Sequence, residues 1–218
     1  MAIRPPAPTA SIAIDADKSG KLHAPSAARN AADLCATVQS FAPSSGNALE
    51  IASGTGQHIV TFAATMPNIH WQPSEVETSR LASIKAYRAE SGLTNIAAPI
   101  TLNATQSGWG KTVPPKDLIT LANLLHLISA TEAETLIVEA AKALNPNGKL
   151  ALYGPFKREG ILTSSGDETF DANLRAHDPE TGYKDDAWIK ATATTAGLIQ
   201  SQAHEMPANN LLLIFQKQ

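Results

Sequence analysis

Glu50-Ile51-Ala52-Ser53-Gly54-Thr55-Gly56 is the stretch on which the reading of this chain turns. Residues 48–52 have the length and apolar content of a short strand, two glycines one residue apart follow, and 57–65 carries helical spacing. A strand running through G-x-G into a helix is how a doubly wound α/β fold begins. Ligands of that fold bind at the carboxyl ends of the strands, where glycine lets the backbone approach them closely. By itself G-x-G also describes a tight turn with no ligand.

Working outward, 69–73 reads as a second strand after the Met66-Pro67-Asn68 break, and 77–90 as a helix stopped by Ser91-Gly92. Residues 99–103 are a third strand, 117–122 a fourth, 132–144 a helix closed by Asn145-Pro146-Asn147-Gly148, and 149–153 a fifth strand. Ahead of the glycine turn, Pro25-Ser26 opens a helix over 27–41, with Ala28, Ala31, Leu34, Cys35 and Val38 at helical spacing. Such alternation predicts a parallel sheet with helices on both faces. The end departs from it. After a helix near 187–196, strand-like runs over 198–205 and 210–216 are separated only by Met206-Pro207-Ala208-Asn209, a connection too short for anything but an antiparallel pair. The expected fold class is α/β: a doubly wound, seven-stranded, mostly parallel sheet with an antiparallel last strand, in one domain over 21–218. Residues 1–20, with Pro5-Pro6-Ala7-Pro8 and the alternation Ser11-Ile12-Ala13-Ile14, read as a flexible N-terminal arm.

Composition narrows the function classes. The 218 residues are 43% hydrophobic and 17% charged, enough for one sizeable core. A formal charge of −3 lacks the basic footprint of a protein that grips a phosphate backbone, so nucleic acid is disfavoured as a partner and a small molecule favoured. The single cysteine, Cys35, excludes an intramolecular disulfide, and no Cys/His cluster has zinc spacing; a reducing, cytoplasmic setting and metal-independent chemistry are expected. No secretory signal is read at the N-terminus, and no run reaches the roughly 18 apolar residues of a membrane span. The oligomeric state is left open.

Two details choose between nicotinamide and S-adenosylmethionine (SAM) as the ligand of the turn. The pyrophosphate fingerprint requires a third glycine where this chain has Ile59. Glu50, four residues before Gly54, gives E-x-x-x-G-x-G, and a carboxylate inside a buried strand needs donors at the strand's end. Glu75, at the end of the second strand and 19 residues past Gly56, stands where an acid accepts hydrogen bonds from ribose hydroxyls, a role common to NAD and SAM folds. Its alternative is a helix N-terminal charge after Ser74. The antiparallel ending also belongs to the SAM-binding version of the fold. Asn103 and Ala104, after the third strand, are expected beside the adenine, with Trp109 as an apolar wall.

Five stretches in order resemble one family: 22–30 (Leu-His-Ala-Pro-Ser-Ala-Ala-Arg-Asn), 49–58 (Leu-Glu-Ile-Ala-Ser-Gly-Thr-Gly-Gln-His), 71–75 (Trp-Gln-Pro-Ser-Glu), 152–157 (Leu-Tyr-Gly-Pro-Phe-Lys) and 206–210 (Met-Pro-Ala-Asn-Asn). It is the family of domain-of-unknown-function 938 proteins, related to methyltransferase-like protein 26, and the resemblance runs from about Lys21 to the C-terminus. It implies a class I SAM-dependent methyltransferase with no settled substrate, in which Glu50 orders the loop and faces the positive end of SAM, and Ala52, Gly54, Thr55 and Gly56 form the cofactor floor. The family usually has aspartate where this chain has Glu75, a conservative difference, and tends to aspartate where it has Asn103.

SAM carries an activated methyl group, so the protein need only align a nucleophile and, for some acceptors, remove a proton. Asn123 and His126 follow the fourth strand; Asn123 is assigned to the cofactor, and His126 is either a general base or a satisfied structural histidine. Tyr153 and Phe156 flank a Gly-Pro turn and are either a pocket wall, with Tyr153 a second catalytic candidate, or core aromatics. Arg29 and Asn30, on the helix before the first strand, are placed over the cofactor carboxylate, with an exposed salt bridge as the alternative. Asn209 and Asn210 are assigned to the substrate rim, or simply make their turn. The polar segment 158–186, with Phe170, Arg175, His177 and Tyr183, is too long for an ordinary connection and reads as a lid or a surface excursion. Three readings remain: an active methyltransferase, a SAM-binding protein without catalysis that works through a partner, and a nicotinamide-dependent oxidoreductase.

Overall fold

A computed structural model describes residues 13–15 and 20–218. In chain order the elements are β1 (Ile14–Asp15), β2 (Leu22–His23), α1 (Pro25–Phe41), β3 (Gly46–Ile51), α2 (Gln57–Thr65), β4 (Ile69–Glu75), α3 (Thr78–Ser91) and β5 (Ile100–Thr101). There follow β6 (Lys116–Ala122), α4 (Ala130–Ala143), β7 (Leu144–Lys157), α5 (Ser165–His177), β8 (Lys184–Asp185), α6 (Asp186–Thr195), β9 (Leu198–Met206) and β10 (Asn210–Lys217). The main sheet runs β5-β4-β3-β6-β7-β10-β9, with β8 added beside the end of β7. All its pairings are parallel except those of β10, which is antiparallel to both β7 and β9. The expected doubly wound sheet with a reversed last strand is the observed one.

Strand alternation divides the core into two halves. Leu49, Ile119, Leu121, Leu152 and Phe215 face α4 and α6, while Ala48, Leu118, Ala151, Leu212 and Ile214 face α1 and α2. On the second face the Phe62 and Trp71 rings stack with centroids 5.0 Å apart. Helix α1 starts with Pro25 in its first turn, where a missing N–H costs nothing, and buries Leu34, Cys35, Val38 and Phe41. Helix α4 starts with a reciprocal cap between Ser129 and Glu132. The β9–β10 turn places Ala208 and Asn209 at φ 56° and 58°, the twist that a tight hairpin needs.

Several boundaries depart from the sequence reading. The third strand has two residues instead of five, and β7 starts directly after α4, passing through Asn145-Pro146-Asn147-Gly148 instead of being preceded by it. Most of the expected arm, residues 1–12 and 16–19, lies outside the described residues; Ile14–Asp15 pairs antiparallel with Leu22–His23. Helix α5 was not expected at all. Its buried face is Asp167, Asp171 and Leu174, so apolar periodicity is absent. Acids in its first turn and Arg175 and His177 in its last are the signal that marks it. No helix among the described residues is long and apolar enough to cross a membrane.

Candidate cofactor cleft and acceptor cavity

The turn after β3 owes its shape to three residues with positive φ: Ala52 at 52°, Gly54 at 58° and Gly56 at 96°. The two glycines serve different needs. A Cβ on Gly56 would stand 3.0 Å from Ile84 Cα, so this glycine seats the turn against α3. A Cβ on Gly54 would meet nothing closer than 3.9 Å, so the chain there is open toward the cleft, and glycine is favoured by the backbone conformation alone. Ser53 locks the turn to β4: its N–H donates to Ser74 O at 2.8 Å and its hydroxyl accepts from Ser74 N–H at 3.2 Å.

Glu75 completes this floor. Its Oε2 accepts from the Gly54 N–H at 3.0 Å and its Oε1 from the Val76 N–H at 2.8 Å, fixing the carboxylate at the carboxyl end of β4. Glu50 lies elsewhere. It is buried inside β3, its Oε2 has no hydrogen-bond partner, and it borders a void of about 10 Å³ shared with Thr120 and Tyr153. Burial, with Glu75 nearby adding to it, pushes its carboxyl up to about 8 against a hydrogen bond from Ser53, so it is mainly protonated at neutral pH. The expected carboxylate facing the cleft is thus a neutral acid beneath the turn, because β3 is covered on both faces.

Two openings meet above the sheet. A cleft of about 100 Å³ runs along Ser53, Gly54 and Thr55, bounded by Ala13, His58 and Arg80. A larger cavity of about 750 Å³ is walled by Arg29, His126, Tyr153, Pro155, Phe170 and Tyr183. Ser26 and Asn123 line both. Asn123 holds a left-handed conformation at φ 56° and donates its N–H to Tyr153 O at 2.9 Å, tying the ends of β6 and β7 together between the two spaces.

Of the residues singled out in the sequence, Ala52, Gly54 and Thr55 line the cleft, Arg29, His126, Tyr153 and Asn210 line the cavity, and Asn123 joins the two. Gly56 and Glu75 shape the floor. Besides Glu50, four positions are not brought to these spaces. Asn103 Oδ1 accepts from the Thr105 N–H and hydroxyl at 3.0 and 2.7 Å, closing its own turn. Ala104 is buried, accepting the Trp109 indole N–H at 3.0 Å, and both belong to the core on the α4 face. Phe156 lies in that same core, since strand alternation turns it away from the face that carries Tyr153 and Pro155. Asn209 is spent on structure: its amide donates to Asp167 Oδ2 at 3.2 Å and fastens α5 to the hairpin.

Asp167 also accepts from the Thr163, Ser164 and Tyr183 hydroxyls, at 2.8, 2.8 and 3.0 Å. Helix α5 is therefore bolted over the cavity, and the Phe170, Tyr183 and His126 rings pack there with centroids 5.7 to 6.2 Å apart. Sequence reasoning missed His58 and paired Asn30 with Arg29 over the cofactor carboxylate. His58 Nε2 and Asn30 Oδ1 are 2.6 Å apart, and Asn30 also bonds the Tyr153 hydroxyl. His58 sits within the quoted run 49–58, and that adjacency to the glycine turn was the available signal.

Burial dominates the electrostatics. It lowers His58 to about 4 and His126 to about 3, with Lys184 adding to the second, and it raises the Tyr153 phenol. His126 is therefore neutral at pH 7 and weakly basic, which favours the structural of its two readings over the general base. Stability should follow. Unfolded histidine gains a proton below the ordinary 6.5 while folded His58 and His126 do not, so their stabilisation is lost as pH falls from 6.5 toward about 4 and 3. Glu50 acts oppositely: its contribution is complete below 4.5 and is lost as pH rises to about 8. Urea unfolding across pH 4.5 to 8 should therefore find a stability maximum near 6.5; a monotonic profile would show that these three groups do not set it.

The structure resembles an O-methyltransferase family protein from Burkholderia thailandensis at 19% identity and a TM-score of 0.72, covering 86% of this chain and 56% of that one. It resembles an O-methyltransferase family 2 protein from Planctomyces limnophilus DSM 3776, solved in complex with apigenin, at 14% identity and 0.71, covering 86% and 62%. It also resembles CalO1, a methyltransferase in calicheamicin biosynthesis solved in its SAH-bound form, at 13% identity and 0.70, covering 86% and 54%. The chain thus spans little more than half the length of these proteins, and at such identities what is shared is the fold. The Rossmann-like fold is that of these methyltransferases, and residues 21–217 match the family model for "Protein of unknown function (DUF938)", so the chain belongs to the DUF938 family.

Proposed function

We propose that the chain is a SAM-dependent methyltransferase acting on a small-molecule acceptor, with residues 21–218 as the catalytic domain. One observation carries this reading: a glycine turn open at Gly54 and held by Glu75 communicates, through Ser26 and Asn123, with a separate cavity of about 750 Å³. A cofactor needs the first space and an acceptor the second, with the reacting atoms where the two join. The local residues fit the group. Each Glu75 oxygen retains acceptor capacity beyond its one backbone donor, suited to ribose hydroxyls, and the open backbone at Gly54 and Thr55 admits close approach. When bound, SAM supplies a methyl group on a positively charged sulfur, so no nucleophile on the protein is needed.

The chain's own contribution is placement and exclusion of water. Asn123 stands at the junction, Tyr153 and Pro155 form one wall, and α5 roofs the cavity with Phe170. Neither His126 nor Tyr153 is poised to take a proton at neutral pH, which favours acceptors that are already nucleophilic and assigns both residues to lining the cavity. The acidic balance favours a small acceptor over nucleic acid, and the single, unbridged Cys35 fits a reducing cytoplasm. The nicotinamide alternative loses ground because Ile59, at the third-glycine position, is fully buried in the core.

Calorimetric titration with SAM, and with NAD and NADP as controls, tests the reading. Micromolar binding of SAM alone is expected. Absence of SAM binding, or preference for NAD, would overturn it.

A further inference from the structure

The larger cavity carries information about its occupant, and drawing on it rests on the methyltransferase reading above. Four rings line it, Tyr153, Phe170, Tyr183 and His126, with Pro155 and Pro207 adding apolar surface and Asn30, Asn123 and Asn210 adding amides. Flat apolar walls of this kind favour a planar ring, through offset or edge-on contacts. Arg29 is the one formally charged side chain among the described residues that line it, and no described acid forms a salt bridge with it. A guanidinium facing such a space is matched by a carboxylate, which it can grip with two parallel hydrogen bonds.

The surrounding charges do not cancel this preference. Asp167 and Asp171 lie behind Tyr183, outside the cavity lining. Asp167 is saturated by three hydroxyls and the Asn209 amide, and Asp171 by the Tyr183 N–H at 2.6 Å and Arg175 at 2.8 Å. Asp33, one helical turn after Arg29 on α1, acts electrostatically on Tyr153 and forms no salt bridge with Arg29. Lys184, buried near His126 and donating to Ile128 O and Gly182 O, adds positive potential at the far end. Arg29 lines the larger cavity and is not among the residues lining the cleft at the glycine turn, which favours a role toward the acceptor over one toward the cofactor carboxylate.

We propose that this cavity receives an aromatic carboxylate, its ring between Phe170, Tyr183 and Tyr153 and its carboxylate on Arg29. Arg29 is then a specificity residue for the acceptor, independent of SAM.

The test is calorimetric titration of the full chain, with and without S-adenosylhomocysteine, using 4-hydroxybenzoate, its uncharged counterpart 4-hydroxybenzamide, and cyclohexanecarboxylate as probes. The wild type should bind 4-hydroxybenzoate at least about tenfold more tightly than either comparison compound. Arg29→Gln, an exposed substitution, should erase the preference for the acid over the amide while leaving SAM affinity unchanged within about threefold. Phe170→Ala should weaken 4-hydroxybenzoate and spare SAM. Equal binding of acid and amide by the wild type, or a loss of SAM affinity in Arg29→Gln with acid preference retained, would overturn the proposal. If Arg29-dependent acid binding is found but SAM does not bind, the acid site stands and the methyltransferase reading falls.

Discussion

Glu75→Ala should lose about 100-fold in SAM affinity while the protein stays folded. Two contributions add. The carboxylate that would accept from the ribose is removed, and hydrogen bonds to a charged group are worth roughly 1.5–3 kcal/mol each. In addition, the Gly54 N–H loses its acceptor at 3.0 Å, so the turn no longer has a fixed shape to offer the cofactor. About 2.7 kcal/mol in total corresponds to the hundredfold weakening. Glu75→Gln keeps one acceptor and most of the volume, and should fall between Ala and wild type. Calorimetric titration reads the affinity, and thermal unfolding checks the fold. Unchanged SAM affinity in the alanine variant would remove Glu75 from the cofactor site and leave it as a clamp on the turn.

Gly110→Ala should be the most destabilising of the conservative glycine substitutions. Gly110 lies in the short 3-10 turn Trp109–Lys111, and a Cβ there would run into the backbone carbonyl of Glu139 and the Lys142 side chain on α4. The same contact is fastened by the Gly110 N–H donating to Glu139 Oε2 at 2.8 Å, with Glu139 also held by Lys142. Helix backbone cannot yield as a flexible side chain does, so the turn must lift away and take buried Trp109 with it. A cost of about 3 kcal/mol is expected for such overpacking, or a fall in Tm of about 6–12 °C for a domain of this size. Gly160→Ala supplies the comparison. Its φ of 82° strains any side chain, yet a Cβ there meets nothing within 4 Å, so the cost should stay near 1 kcal/mol. Equal losses at the two positions would show that backbone strain, not close packing, governs both.

The glycine turn was legible because backbone geometry leaves marks in sequence. Glycines that must hold positive φ at Gly54 and Gly56 cannot be replaced freely, and a strand preceding them and a helix following them have different periods. Glu75 was found because it ends a strand whose length could be counted. Glu50 was found, but its burial was not legible. Its position in β3 was plain, but whether the side chain faces the cleft or the interior depends on what covers that face, here α1 and α2 with Leu34, Val38 and Phe62 beside its void. The larger cavity was harder to read. Phe156 and Tyr153 are three apart in sequence and on opposite faces in space, and Asn209, taken for the rim, is held by Asp167 from 42 residues away.

What the sequence by itself determined is the alternation of the main strands and helices up to β7, the reversed final strand and the glycine turn. Those depend on local conformational limits and on short-range apolar spacing, both written in neighbouring residues. Only the tertiary structure decided that Glu50 is a buried neutral acid, that His126 is held far below its ordinary basicity, that Arg29 lines the larger cavity and not the cleft, and that α5 roofs that cavity. The physical reason is common to all four. Burial, protonation state and the direction a side chain faces depend on groups brought together from distant parts of the chain, and α5 turns acids inward because Thr163, Ser164, Tyr183 and Asn209 are there to donate to Asp167.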